Sequence, residues 1–325
     1  MRPLSDKNYV FFGTHGAFSI TLLEALIRAE LPPGLVIVGV EKPKDRRGPL
    51  VRFRSADPGF WEQLVWGTRR NPNPPPEGTI DLEAVAHSHR LDVIVTSDPG
   101  ALRVRADLHQ RVPEGYVVAG FPRLLSPEVL GLATRGGINV HPGRLPGERG
   151  PSPLFWALKD GRTDLGFAIH LLDAGEDTGD VLVQGSYKII PGASAHTVLK
   201  RCGEAAAPHL IRVLRSFFAG EVLRTPQPSE GAARRPRPEF KDGQIDPEKK
   251  AIEIYTFVSA CARHYSLFVE NAGDRFFVAG AASYQEGATL PSEYVVTGDT
   301  LLLRCADGIV ELSLKPEGAV FSAEY

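Results

Sequence analysis

The sequence predicts an α/β protein whose sheet is mostly parallel, followed by a smaller β-rich domain at the C-terminus. Through the first two-thirds of the chain, short apolar runs alternate with amphipathic stretches. Apolar runs of this kind are typical of parallel strands that helices cover on both faces. The last third instead carries several closely spaced strand candidates, which are typical of a small barrel or sandwich.

The elements of the first half can be predicted in order. Tyr9–Phe12 is a continuous apolar run and predicts a buried strand, and the leucine spacing over 19–28 predicts a helix. Proline, glycine and arginine are frequent between 41 and 78, which predicts an elaborated loop with one short helical candidate at 60–66. The same patterns predict strands at 35–40, 92–96, 116–121 and 137–140, and helices at 82–89 and 103–111.

The second half contains a long helix, a linker and the β-rich domain. Ser152 and Pro153 supply an N-cap and a first-turn proline for a helix through 159, and Gly220 ends a helix that begins at 194. The stretch TPQPSEGAARRPRP is rich in proline and lacks apolar periodicity, so it predicts a linker. The chain therefore divides into an N-terminal domain (1–220), a linker (221–240) and a C-terminal domain (241–325). Strands are predicted at 165–172, 181–189, 267–269, 275–279, 294–296, 300–305 and 309–314, and a further helix at 247–263.

The composition is that of an ordinary globular protein. Its 37 basic and 39 acidic side chains give a net charge of −2, which offers no strongly basic surface for nucleic acid or membrane. Cys202, Cys261 and Cys305 are scattered, so neither a disulfide framework nor a thiolate metal site is expected. The N-terminal residues lack a signal-peptide core, and no apolar run is long enough to span a bilayer. We expect a cytoplasmic protein that binds neither metal nor membrane.

The most informative stretch is INVHPGRLPGERG, at 138–150, which ends one of the predicted strands. Side chains alternate between the faces of a strand, so Asn139 and His141 point the same way. Pro142 cannot extend a hydrogen-bonded ladder, so the strand ends with His141 at its tip. Ligands bind at strand ends in open α/β sheets. With Asp177 from a later loop, these polar groups suit one acyl transfer.

The chain resembles the folate-dependent formyltransferase family, which includes methionyl-tRNA formyltransferase and amino-sugar N-formyltransferases. Three motifs carry the likeness in the family's order: N-x-H-P at 139–142, L-P-x-x-R-G at 145–150 and D-x-G at 177–179. The stretches FFGTHGAFSITLLEAL and KDGQIDPEKKAIEIYTFVSA extend it over nearly the whole chain. The resemblance implies a Rossmann-like catalytic domain, an OB-like C-terminal domain and 10-formyltetrahydrofolate as the cosubstrate.

Formyl transfer to an amine passes through a tetrahedral carbon that bears an oxyanion, so the site needs a hydrogen-bond donor and a proton carrier. Asn139 can direct its amide N–H at the oxyanion, and His141 can relay a proton to the leaving nitrogen. Asp177 can pair with the imidazolium of His141. The resemblance implies the same three catalytic residues. It also matches His170 to a histidine that the family often carries, which we interpret as a hydrogen-bonded core residue and not a catalytic one.

The flat pterin of the cosubstrate requires an apolar slot edged by backbone polar groups. Leu125 lies in the stretch that the resemblance assigns to this slot, but core packing accounts for it equally well. Arg149 and Gly150 are candidate acceptor-binding residues. For Arg149 the alternative is a solvated loop arginine that binds no ligand. The turn Gly13–Gly16 lacks G-x-G-x-x-G, which disfavours a dinucleotide-dependent dehydrogenase. The resemblance places the cosubstrate slot at Phe121, Pro122, Arg123, Leu124, Leu125 and Val140.

The acceptor amine is the open question. Between 231 and 325, ten basic against fourteen acidic side chains give a net charge of −4, whereas a tRNA-binding module concentrates basic residues. The loop EKPKDRRGPLVRFR and the arginines Arg234, Arg235 and Arg237 are basic enough to contact a phosphate. These features favour a small phosphorylated amine, such as a nucleotide-linked amino sugar, over methionyl-tRNA.

A 10-formyltetrahydrofolate hydrolase is a second alternative because it uses the same three residues. The C-terminal domain is also compatible with a homodimer contact.

Overall fold

The computed structural model describes residues 8–41, 50–54, 81–271 and 273–316. Within these ranges the helices are α1 (Ala17–Arg28), α2 (Leu82–Ser88), α3 (Leu102–Arg111), α4 (Pro127–Leu130), α5 (Pro153–Lys159), α6 (Ala195–Ala219) and α7 (Ala251–Cys261). The strands are β1 (Tyr9–Gly13), β2 (Leu35–Gly39), β3 (Val51–Arg54), β4 (Val93–Thr96), β5 (Gly115–Ala119), β6 (Gly137–His141), β7 (Asp164–Leu171), β8 (Val181–Lys188), β9 (Leu267–Asn271), β10 (Asp274–Glu286), β11 (Tyr294–Thr297), β12 (Thr300–Cys305) and β13 (Gly308–Leu314).

The first sheet has the strand order β3-β4-β2-β1-β5-β6-β7-β8. From β4 to β6 every neighbouring pair is parallel, whereas β3 pairs antiparallel with β4, and β7 with β6. The prediction of a mostly parallel sheet is confirmed. All residues of β1, β2 and β5 are buried, which is why continuous apolar runs marked them.

Strand β3 corrects the prediction that 41–78 is only a loop. Its sequence, VRFR, alternates apolar and basic residues as an edge strand does, but the Pro-rich and Arg-rich surroundings obscured so short a pattern. The segments 42–49 and 55–80, which include the helical candidate at 60–66, lie outside the described residues.

The strand order reverses beside β1. The chain adds β2 and β4 on one side of β1 and then β5 and β6 on the other. In open α/β sheets, ligands bind outside the carboxyl ends of the strands at such a reversal. Ser19 of α1 links the ends of β1 and β5 at this reversal. Its Oγ accepts from the backbone N–H of Thr14, directly after β1, at 3.0 Å and donates to the carbonyl oxygen of Ala119, the last residue of β5, at 2.6 Å. The topology therefore predicts the ligand site at this edge of the sheet.

The second sheet is antiparallel, with the strand order β11-β12-β13-β10-β9. Helix α7 packs against it, since its buried Ile254, Phe257 and Val258 share one apolar cluster with Leu301 and Leu312. The prediction of a β-rich C-terminal region is confirmed.

Contact density divides the chain into two compact units that do not follow the order of the sequence. The second unit gathers Gly150–Leu165, Ser186–Leu199 and Arg234–Tyr325. The first gathers Met1–Arg149, Gly166–Gly185 and Lys200–Ala233. Helix α5 thus belongs with the C-terminal sheet. The domain limits drawn from composition, 1–220 and 241–325, remain a prediction.

Phe155 of α5 is a sensitive point in the second unit. It is 1% exposed, and its ring centroid lies 5.3 Å from that of Phe257 and 4.5 Å from that of Tyr265. We expect Phe155→Leu to lower the free energy of unfolding by about 1–3 kcal/mol, because buried carbon atoms and edge-to-face contacts are lost. Urea unfolding measures this change. Leu223→Ala is the control, since Leu223 is 89% exposed; an equal loss in both variants would contradict the prediction.

Candidate active site

Strands β6 and β7 hold two polar side chains opposite each other. Their antiparallel register pairs Asn139 with His170. Directly opposite residues share a face of the sheet, and Nδ2 of Asn139 lies 3.0 Å from Nε2 of His170. His141 is the last residue of β6, two positions after Asn139, so its side chain leaves the strand on the same face.

Asp177 lies in the loop between β7 and β8, and one of its carboxylate oxygens meets all three of these side chains. Its Oδ1 is 3.1 Å from Nδ2 of Asn139, 3.5 Å from Nδ1 of His141 and 3.4 Å from Nε2 of His170. The side chains of His141, Asp177 and His170 are 5%, 10% and 2% exposed. Solvent therefore screens their electrostatic interactions weakly. The structure brings the three predicted catalytic residues together.

Backbone geometry fixes the loop that carries Asp177. Asp177 has a φ of +56°, a conformation that few residues other than glycine adopt and that aspartate tolerates better than most. The carboxylate of Asp173 accepts from the hydroxyl of Thr178 at 2.7 Å. A Cβ at Gly179 would collide with the carbonyl oxygen of Leu171. The D-T-G sequence is thus required by the shape of this loop as well as by the carboxylate.

His141 is held by the loop that follows it. Its Nε2 lies 2.7 Å from the carbonyl oxygen of Glu148. A carbonyl oxygen can only accept, so Nε2 carries the hydrogen. Nδ1 then faces Asp177 and donates to it when the ring is protonated. The backbone N–H of Arg144 donates to Oε2 of Glu148 at 2.6 Å, which closes the turn. The imidazole therefore presents an N–H to a carbonyl oxygen, as a proton donor in acyl transfer must.

The orientation of His170 follows in the same way. Its Nδ1 lies 2.8 Å from the carbonyl oxygen of Leu171 and must donate to it. In the neutral ring Nε2 is an acceptor, so Asn139 donates to it. The amide N–H groups of Asn139 are thus directed at His170 and Asp177. His170 is a buried, hydrogen-bonded residue as predicted, but its partners are two of the candidate catalytic side chains.

Arg149 contacts a residue that the sequence did not indicate. Its Nε and Nη2 donate to Oε1 of Gln227 at 3.0 and 2.7 Å. Gly150 has a φ of +114°, and a Cβ there would collide with the backbone of Arg235. Both residues therefore have structural roles, and their predicted contact with the acceptor remains a prediction.

The predicted cosubstrate slot begins where β5 ends. Gly120 turns the chain with a φ of +67°. The ring of Phe121 packs edge-to-face on Phe12, with centroids 5.3 Å apart. Pro122 lies so close to β2 that a Cβ on Gly39 would crowd its ring. The slot residues thus stand at the reversal of the sheet, where the topology predicts ligand binding.

The remaining slot candidates differ in exposure. Arg123 is exposed, and Leu124 is 60% exposed. Leu125 is 7% exposed and packs in the apolar core of the first sheet, and Val140 is fully buried. Leu125 therefore has the core role that the sequence left open. Contact of these residues with the pterin remains a prediction.

Amide, imidazole and carboxylate groups supply the polar chemistry of this site. Within the described ranges, no group of three or more histidine, cysteine and acidic side chains could hold a metal ion. All three cysteines are buried, and burial raises the pKa of the Cys305 thiol to about 11, so it is not a thiolate near neutral pH. No helix in the described part of the chain is both long and apolar enough to cross a membrane.

An open α/β sheet with these groups at its strand ends is suited to an enzyme that transfers an acyl or one-carbon group, and comparisons with known proteins narrow the class. The family model for formyl transferases matches residues 97–214, which include the three catalytic candidates. Methionyl-tRNA formyltransferase of Myxococcus xanthus (strain DK1622) is 31% identical over 214 residues, covering 65% of this chain and 68% of that protein. The same enzyme of Koribacter versatilis (strain Ellin345) is 28% identical over 295 residues, covering 90% and 85%.

A solved structure shares the fold. The N-formyltransferase of Helicobacter canadensis, in complex with folinic acid and dTDP-3-aminofucose, matches with a TM-score of 0.61 and 13% identity, covering 94% of this chain and 99% of that chain. The chain belongs to the folate-dependent formyltransferase family. The predicted family, enzyme class and formyltetrahydrofolate cosubstrate are confirmed. The curated relatives are named for methionyl-tRNA as the acceptor, whereas the H. canadensis structure contains a sugar nucleotide.

Proposed function

We propose that the chain transfers the formyl group of 10-formyltetrahydrofolate to a primary amine of a small phosphorylated acceptor, such as a nucleotide-linked amino sugar. Asn139, His141 and Asp177 perform the transfer. The observation that supports these roles is their convergence, since Oδ1 of Asp177 lies within 3.5 Å of nitrogen atoms of both other residues. A donor, a proton carrier and a carboxylate in mutual contact are what the reaction requires.

The amine nitrogen attacks the formyl carbon and forms the new C–N bond, while an electron pair of the carbonyl moves to oxygen and gives an oxyanion. The Nε2–H of His141 then donates to this oxygen, in place of the carbonyl oxygen of Glu148 that it contacts at 2.7 Å. Asn139 adds a second donor by exchanging one of its present partners.

Collapse of the intermediate breaks the bond between the formyl carbon and N10 of the folate. Nε2 of His141 gives its proton to N10 and then takes the proton that the attacking amine loses, so the ring is unchanged by the whole transfer. Asp177 accepts from Nδ1 while the ring carries both protons. The products are the formamide and tetrahydrofolate.

Charge supports the choice of acceptor. The region 231–325 has a net charge of −4, and RNA phosphates require positive charge for binding. The sugar nucleotide in the H. canadensis structure points to the same class of acceptor. Methionyl-tRNA remains the alternative because the curated relatives carry that name. A hydrolase remains a second alternative, with water in place of the amine.

An acceptor panel tests the proposal. The protein is mixed with 10-formyltetrahydrofolate and either no amine, a dTDP-linked amino sugar or methionyl-tRNA, and tetrahydrofolate and the formylated product are measured. We expect turnover that depends on the amino sugar and changes little between about 50 and 200 mM salt, a range that weakens tRNA binding by orders of magnitude. Turnover with methionyl-tRNA alone establishes the first alternative. Equal tetrahydrofolate release without amine establishes the hydrolase.

A further inference from the structure

The chain that follows α6 returns to the active site through Gln227. Nε2 of Gln227 donates to the carbonyl oxygens of Asp177 and Gly179, at 2.8 and 2.7 Å. Its Oε1 accepts two hydrogen bonds from the guanidinium of Arg149. Both donors and both acceptor positions of the amide are therefore used. One side chain connects the loop after β6 with the loop after β7.

Arg149 fixes the direction in which this amide points. A guanidinium can only donate, so the amide atom that faces it must be oxygen. The NH2 group must then face the two carbonyl oxygens of the Asp177 loop. Hydrogen bonds from a charged donor are stronger than those between neutral groups, so the arginine is a firm support for the glutamine.

The segment around Gln227 is itself held at both ends. Thr225 and Val181, the first residue of β8, exchange two backbone hydrogen bonds of 2.8 Å. Ala233 donates to the carbonyl oxygen of Pro146 at 3.0 Å and accepts from the backbone N–H of Arg149 at 3.1 Å. Gln227 therefore lies between two fixed points, although its surroundings have the composition of a linker.

We propose that Gln227 is a positioning residue for formyl transfer. It holds the carbonyl oxygens of Asp177 and Gly179, and with them a backbone whose φ of +56° at Asp177 is unfavourable without such support, and so keeps Oδ1 in reach of Asn139 and His141. Arg149 acts on the site through Gln227. The inference rests on the proposed role of Asp177. A displacement of about 1 Å in a catalytic group can reduce a rate by about 100-fold, so a small shift of this loop is enough to matter.

Gln227 accepts hydrogen bonds from Arg149 and donates hydrogen bonds to the Asp177 loop, and Gln227→Glu separates these two roles. The carboxylate still accepts from Arg149, but it places a negative oxygen against the carbonyl oxygens of Asp177 and Gly179. Gln227→Met removes both the accepted and the donated hydrogen bonds at nearly constant side-chain volume, and it is used instead if Gln227→Glu does not fold. Gln110→Glu is the matched control, because it makes the same charge change at an exposed position of α3.

The melting temperature of each variant is determined first, to show that it folds, and two further measurements are then made. The first is kcat and KM with 10-formyltetrahydrofolate and the acceptor found above. The second is the NMR signals of the His141 and His170 rings in histidine-labelled protein without ligands. We expect Gln227→Glu to lower kcat by about 10- to 100-fold with KM for the folate within about twofold, and to shift both ring signals, while Gln110→Glu changes neither.

Unchanged kcat and ring signals in Gln227→Glu would overturn the inference, as would a lower melting temperature with a parallel loss of folate binding, which would indicate a general structural role. The ring signals need no acceptor. If they shift while the wild-type protein formylates no amine, Gln227 still positions the Asp177 loop against both histidines, and it is the proposed function that fails.

Discussion

Replacing His141 by alanine is expected to lower kcat for formyl transfer by about 1000-fold, because a positioned acid and base contributes about 100- to 10,000-fold. Nε2 of this ring carries a hydrogen and already contacts a carbonyl oxygen, at 2.7 Å. Initial rates of tetrahydrofolate formation at saturating amine measure the effect.

The variant must be shown to fold, because His141 is 4% exposed and its removal leaves a cavity. Circular dichroism and tetrahydrofolate binding serve this purpose, and both should resemble the wild type. His196→Ala, at an exposed position of α6, is the matched control and should keep its kcat. If folded His141→Ala retains more than about a tenth of the wild-type kcat, His141 does not carry the proton.

The parallel strands could be predicted because a strand that is buried on both faces consists mainly of consecutive apolar residues. Strands β1, β2, β4 and β5 are buried along their whole length, so each is an uninterrupted apolar run. Strand β10 shows the limit of this signal. It spans Asp274–Glu286, but only 275–279 was predicted, since its second half is partly exposed and rich in small and polar residues. Register shifts against β13 also interrupt its alternation.

The candidate site was predictable to the extent that side chains define it. The order of the motifs indicated that Asn139, His141 and Asp177 belong together. The position of His170 opposite Asn139 depends on the register between β6 and β7, which no local pattern encodes. The carbonyl of Glu148 gave no sequence signal, because every residue type has one. For Gln227 the only sign was a glutamine between two prolines in a stretch with linker composition.

Asp177→Asn is the sharpest test of the carboxylate, because asparagine has the same size and also tolerates a positive φ. The loop should therefore keep its shape while the site loses its negative charge. An orienting carboxylate beside a catalytic imidazole can be worth up to about 10,000-fold in kcat, and we expect a loss of about 1000-fold here. The amide can also turn its NH2 toward Asn139 and His170, which would misplace both.

Asp173→Asn is the control within the same loop. Its Oδ1 accepts from Gly175 and Thr178, and an asparagine oxygen can accept the same two hydrogen bonds. This variant loses an equal charge but should keep most of its kcat, while both variants should bind tetrahydrofolate like the wild type. If the two variants lose activity equally, the carboxylate of Asp177 only shapes the loop. In that case His141 would act without a charged partner, and Gln227 would have no catalytic group to position.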